Sequence, residues 1–257
     1  MDLVLEATGL VKDYRRDRAV DGVDVRVRSG ERVGLLGPNG AGKTTTLLMI
    51  LGVISPDEGS VTICGHALHG DRSRAAENVG FAAGYLPLAE RMRVREYLRL
   101  YANLYGIADP APAIEAGLRR FRIEHLAGAM GTELSSGQRT LVGIVRATMH
   151  GPRLLVLDEP TASLDPEVAR RVRAGLRELC EEDGTALLVT SHDMAEVERV
   201  CQRVIFLSHG RIVADGTPAD VTERYGHTDL EGVFLHLADQ RAADHEQAGA
   251  QQTDHAV

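Results

Sequence analysis

The sequence predicts an α/β fold: a core built on a parallel sheet, preceded by an antiparallel β unit and interrupted by a helical lobe. Three observations predict it. Arg153–Asp158 and Ala186–Thr190 are short apolar runs separated by a helix over Glu167–Glu182, and strand, helix, strand in that order makes a parallel unit. Ahead of them, apolar and polar residues alternate over Val4–Leu10 and Val23–Val27, the pattern of an antiparallel hairpin. From about Tyr85 to His150 the texture turns helical, with Val94, Leu98, Tyr101 and Leu104 or Tyr105 recurring at intervals of three and four.

In chain order, Ser29-Gly30-Glu31 turns the hairpin into a buried strand over Arg32–Leu36. A glycine-rich segment follows, then a helix apolar enough to be buried over Thr44–Ile54. Ser55–Gly59 is a turn and Ser60–Cys64 a short strand. In the helical lobe, Asp109-Pro110-Ala111-Pro112 is an interruption, with a further helix expected over Ala113–Phe121. Leu134–Gln138 opens another helix that continues through Arg139–Met149. Order is expected to end near Asp239, giving one domain over residues 1–239 with its helical subdomain at about 85–150. Residues 240–257, rich in Ala, Gln, His and Asp, read as a disordered tail.

Composition narrows the class of function. With 257 residues, 44% hydrophobic and 26% charged, the chain can bury a sizeable core. A net charge of −8 argues against a surface built for nucleic acid. The longest apolar run, Leu47–Ile54, contains a glycine and falls far short of the roughly 20 residues of a membrane span, so any membrane role is expected through a partner. The start, MDLVLEATGL, has neither a secretory nor a transit pattern. Cys64, Cys180 and Cys201 lack metal-ligand spacing and read as thiols of a reducing compartment.

The chemistry concentrates in three segments. Gly37, Pro38, Asn39, Gly40, Ala41, Gly42, Lys43 and Thr44 fit G-x-x-x-x-G-K-[ST], where backbone amides curl around an anion, a lysine reaches outer phosphates and a hydroxyl takes Mg²⁺. The only lysines are Lys12 and Lys43. The expected ligand is a nucleoside triphosphate seated at a helix N-terminus, with Thr45 beside it. Leu154–Glu159 delivers two acids at a strand's C-terminal end, Asp158 to hold Mg²⁺ and Glu159 to polarise the attacking water. Ser135, Ser136, Gly137 and Gln138 offer either another helix-terminal anion site or simply a small-residue helix cap.

With GPNGAGKT at 37–44, LSSGQ at 134–138, LLVLDE at 154–159, SLD at 163–165 and SH at 191–192, the chain resembles the nucleotide-binding subunits of ABC transporters from Leu3 to about Asp239. The resemblance implies a RecA-like P-loop NTPase core, ATP and Mg²⁺ as cofactors, and a cytoplasmic location on the inner face of the cell membrane. It implies Lys43 on the outer phosphates, Thr44 and Asp158 on Mg²⁺, Glu159 as general base and His192 on the γ-phosphate. Tyr14 matches the aromatic that stacks on adenine, and Asp165 the residue that communicates across a dimer. It further implies two partners: a second ATP-binding subunit, a homodimer being expected, whose signature loop closes on the triphosphate, and a separate transmembrane permease. Residues 217–237 resemble the short C-terminus of export-type subunits with no appended regulatory domain. Arg91, Arg93, Arg95 and Arg99 lie in the lobe expected to meet the permease, or form a solvated helix face.

Two departures stand out. The family's glutamine between core and helical lobe is missing, since no glutamine precedes Gln138 and either Gly84 or Leu88 occupies its place. Ser136 replaces a glycine of the commonest signature form, which helical φ tolerates. Rival readings are a soluble ATPase of the same family acting away from membranes, and a nucleotide-gated regulatory module of low turnover.

Overall fold

A computed structural model describes residues 2–15, 17–84, 88–162 and 164–240. Two long strands, β1 (Leu3–Tyr14) and β2 (Asp17–Arg28), form the expected antiparallel hairpin. Along β2 the buried Val20, Val23, Val25 and Val27 alternate with charged residues that include Asp24, Arg26 and Arg28, so one face is core and the other is solvated. The strand β3 (Arg32–Leu36) falls where the sequence places it. The helix α1 (Lys43–Ile50) is shorter than Thr44–Ile54. Leu51 caps it, and Gly52, at φ +66°, adopts the left-handed conformation that stops a helix.

The chain then forms β4 (Glu58–Ile63), β5 (His66–Ala67), α2 (Arg72–Glu77) and β6 (Val79–Ala83). β4 ends before Cys64, whose φ of +50° breaks the extended backbone. The helical lobe comprises α3 (Val94–Leu104), α4 (Pro110–Arg120), two 3-10 turns and α5 (Ser136–Thr148). α4 starts three residues earlier than Ala113, because Asp109 takes the N-cap and a proline at the first helical position gives up no hydrogen bond. The expected start of the lobe at Tyr85 lies outside the described residues, as does the tail beyond residue 240.

The remaining elements are β7 (Leu154–Asp158), α6 (Pro166–Glu182), β8 (Ala186–Thr190), α7 (Met194–Val200), β9 (Arg203–Ser208), β10 (Arg211–Gly216), α8 (Pro218–Tyr225) and α9 (residues 230–240). One sheet is antiparallel in the order β2-β1-β4-β5. The other is six-stranded, β10-β9-β3-β8-β7-β6, parallel except for β10. The parallel unit β7-α6-β8 is as expected; β6, β9 and β10 are additional.

Two apolar cores flank this larger sheet. Leu35, Leu154, Val156, Leu188 and Leu207 face α1 and the antiparallel sheet, while Leu36, Leu155, Leu157, Val189 and Phe206 face α4 to α7. Burial on both sides makes its central strands continuously apolar. α5 packs on the face of β6, where a Cβ on Gly80 would sit 2.1 Å from the Ala147 carbonyl oxygen, and Arg146 covers the strand's outer edge by donating to Phe81 O at 3.0 Å.

Candidate active site

The loop between β3 and α1 owes its path to glycine. A Cβ on Gly37, at φ +140°, would sit 2.2 Å from Leu207 O, and one on Gly42, at φ +104°, 2.4 Å from Ala19 O. Neither position admits another residue without moving backbone. The β9–β10 turn braces the loop from outside, Gly210 donating from its amide to Ala41 O at 3.1 Å and accepting from Asp21 N at 2.9 Å. The Lys43 ammonium donates to the carbonyls of Gly37 at 2.6 Å and Pro38 at 3.1 Å, keeping it over the loop.

The two acids stand at the C-terminal end of β7. Thr190, at the same level of neighbouring β8, donates its hydroxyl to Asp158 Oδ1. It also accepts the Glu159 amide, at 3.1 Å on its carbonyl and 3.2 Å on its hydroxyl. Glu159 has φ +51°, a conformation that costs a non-glycine residue roughly 1 kcal/mol or more and concentrates at functional sites. That twist carries the carboxylate towards β8, where Glu159 Oε1 meets His192 Nδ1 at 2.9 Å. Thr190 was not among the residues expected here. Its signal was the parallel spacing of LLVLD and ALLVT, which puts the ends of two strands side by side.

One cleft, of about 560 Å³, is lined by Asn39, Gly40, Gly42, Lys43, Thr44 and Thr45 together with Asp158, Glu159 and Tyr14. Tyr14 is half exposed at its rim. Arg18, also lining the cleft, is held above its ordinary pKa by hydrogen bonds to Asp13 and Asp21. Asp21 lies below the usual carboxylate range because Arg211 and Arg18 both donate to it. The donor set fits a magnesium triphosphate: backbone amides and an ammonium for phosphate oxygens, and the Thr44 hydroxyl and Asp158 carboxylate as hard oxygen ligands.

A second cleft, of about 840 Å³, shares Thr44, Asp158 and Glu159 with the first and runs under the helical lobe past Gly84, Leu88, Tyr97 and Arg146. Both candidate places of the missing glutamine thus line one space, and no amide side chain stands at either. Gly84 donates its backbone N–H to Asp158 O at 3.3 Å. Ser136 also lines this cleft, whereas Ser135, Gly137 and Gln138 are not among the lining residues described for either cleft. Ser135 and Gln138 close a capping box on α5, each side chain accepting the other's backbone N–H at 3.2 and 2.9 Å. Ser136 is the first helical residue and keeps negative φ. Asp165 caps α6, accepting from the amides of Glu167 and Val168 at 3.0 Å; Ser163 lies outside the described residues.

A glycine-rich loop on a β3–α1 junction, facing two acids at the end of the parallel strand β7, with β8 between, defines a P-loop nucleoside triphosphatase. The particular family follows from comparison. The ABC transporter family profile matches residues 20–162, and the chain belongs to that family. It is 38% identical over 236 residues to the Nod factor export ATP-binding protein I of Ralstonia nicotianae, covering 87% of this chain and 73% of that one. The protein of the same name from Burkholderia pseudomallei is 39% identical over 226 residues, covering 84% and 74%. Among solved structures, the ATP-binding subunit of an ABC transporter superposes with a TM-score of 0.83 at 30% identity, over 91% of this chain and 99% of that one. A dimeric ATP-binding cassette with ADP and phosphate superposes at 0.75 and 24% identity, over 83% and 98%, a likeness of fold. The chain is an ATP-binding, ATP-hydrolysing subunit of an ABC transporter.

Proposed function

We propose that this subunit hydrolyses Mg²⁺–ATP between two copies of itself and so drives export through a separate membrane permease. The observation that carries the reading is the meeting of Glu159 Oε1 and His192 Nδ1, 2.9 Å apart, beside the cleft that holds the phosphate loop. Lys43 and the amides of 37–44 bind the phosphates. Thr44 and Asp158 hold Mg²⁺, with the Thr190 hydroxyl fixing the carboxylate. When bound, the ion would neutralise charge developing on the phosphate oxygens.

Glu159 takes a proton from water as the water oxygen bonds to the γ-phosphorus; the bond to the bridging oxygen breaks and ADP leaves. His192 orients the Glu159 carboxylate and faces the γ-phosphate. Tyr14 stacks on adenine, and Ser135, Ser136, Gly137 and Gln138 of the second copy close over the triphosphate. Differential affinity of closed and open dimers for ATP and ADP is the work the subunit delivers.

Export as the direction is supported by the names of the curated relatives. Among the described residues no helix is long and apolar enough to cross a membrane, which fits membrane contact through the permease alone, at the cytoplasmic face. The test is a pair of variants. Glu159→Gln should bind ATP yet lose about 10² to 10⁴ in turnover. Lys43→Ala should lose ATP binding; turnover at the parent's rate in either variant would overturn the assignment.

A further inference from the structure

Arg146 is a charged side chain only 9% exposed, and its guanidinium is met by a phenol, a carbonyl and an aromatic face. It donates to Tyr97 Oη at 3.1 Å and to Phe81 O at 3.0 Å, and lies 5.0 Å from the Tyr101 ring centroid. One turn further on, His150 is within 3.2 Å of Val79 O through Nε2 and stacks on Tyr105 with centroids 4.2 Å apart. Burial holds His150 below its ordinary pKa, while the bond to Val79 O acts in the opposite sense. Phe81 and Val79 are alternate residues of β6, and both carbonyls are claimed from the α5 side. Tyr97, Tyr101 and Tyr105 form one column on α3.

What the column is tied to matters. β6 pairs with β7 in register, Phe81 with Val156 and Ala83 with Asp158, and Gly84 extends the ladder to Asp158 O. A displacement of Asp158 or Glu159 therefore moves β6. α5 begins at Ser136, so Arg146 sits ten residues along the same rigid rod as the signature segment, about 15 Å away. Arg146 and Tyr97 also line the cleft that Thr44, Gly84, Asp158 and Glu159 share.

We infer that Arg146, Tyr97 and His150 are positioning residues: a latch between the edge of β6 and the helical lobe, through which occupancy at Asp158 and Glu159 sets the position of α3 and of the signature end of α5. Gly84 offers no side chain for that connection, so hydrogen bonds to strand carbonyls carry it. The inference rests on the site proposed above, and its failure is separable from that site's failure.

The experiment is amide hydrogen exchange on the full chain, with and without saturating Mg²⁺–ATP, beside a nucleotide-binding titration. In the parent, nucleotide should slow exchange in Val94–Leu104. Tyr97→Phe removes one hydroxyl without changing shape; it should bind nucleotide within about twofold of the parent yet reduce that slowing by about fivefold. Arg146→Met should do the same, and Arg146→Lys, which keeps a donor, should recover part of it. Slowing in Tyr97→Phe equal to the parent's, none in the parent, or loss in strict proportion to lost binding or lost thermal stability would each overturn the latch. A parent that bound no nucleotide would overturn the site and the latch together.

Discussion

Gly84 shows how much can hang on one missing side chain. Its φ is not in the left-handed region, and among the described residues a Cβ there would meet only Glu159 O, at an ordinary 3.4 Å. Gly84→Gln should therefore fold normally, bring an amide to the Asp158–Glu159 corner and tighten the Mg²⁺ dependence of hydrolysis by about fivefold, the effect of one added polar contact. A magnesium titration of the purified variant checks this, and an unchanged midpoint would refute it. At this scale the phosphate loop and the two acids are written in consecutive residues, whereas His192 was suggested only by the family resemblance. Thr190 and Arg146 were not legible in the sequence. Their roles arise from strand register and from packing between elements far apart in the chain, which residue patterns do not encode.

Among elements, the fit of α6 against the end of α4 depends on Gly175. A Cβ there would lie 2.4 Å from Cε1 of Phe121, a side chain with no exposure and no room to retreat. Gly175→Ala adds helix propensity of at most about 1 kcal/mol and overpacks by about 1–3 kcal/mol. The net expectation is destabilisation by about 1 kcal/mol, measurable as a lower midpoint in urea. Strands with a continuous apolar run beside a recognisable motif, β3, β7 and β8, were readable almost to the residue. Helix ends were less so: α1 stops early because Gly52 turns left-handed, and α4 starts early because Pro110 is harmless at a first turn. β6 reads as VGFAA, where one glycine and two alanines leave little strand signal; the neighbouring β7 and the helix α5 make it a strand.

For the molecule as a whole, the core on the α4–α7 side of the large sheet holds two buried thiols. Burial pushes Cys180 up to about 11 and Cys201 up to about 12. A folded pKa above the unfolded value means stability that is intact below about pH 9 and lost as pH rises through the folded values. The unfolded chain ionises first and is favoured by doing so. Urea unfolding should give a flat stability from about pH 7 to 9 and then a fall on the order of 2 kcal/mol per thiol by about pH 11. Cys201→Ala should make that fall shallower, and an equally steep fall in the variant would refute the assignment.

The borders of the two sheets have a consequence for assembly. β6 is covered at its edge by Arg146 of α5, β5 is two residues long, and the free side of β2 alternates valine with aspartate and arginine. The fourth edge, β10, is six residues long and carries Arg211 and Asp215, so among the described residues neither sheet leaves a long, uncharged row of backbone donors on which another polypeptide could zip itself. In the proposed dimer, two copies would then meet through side chains and whatever small molecule lies between them. An association of that kind comes apart when the molecule is consumed, which a shared ladder of strands would not allow.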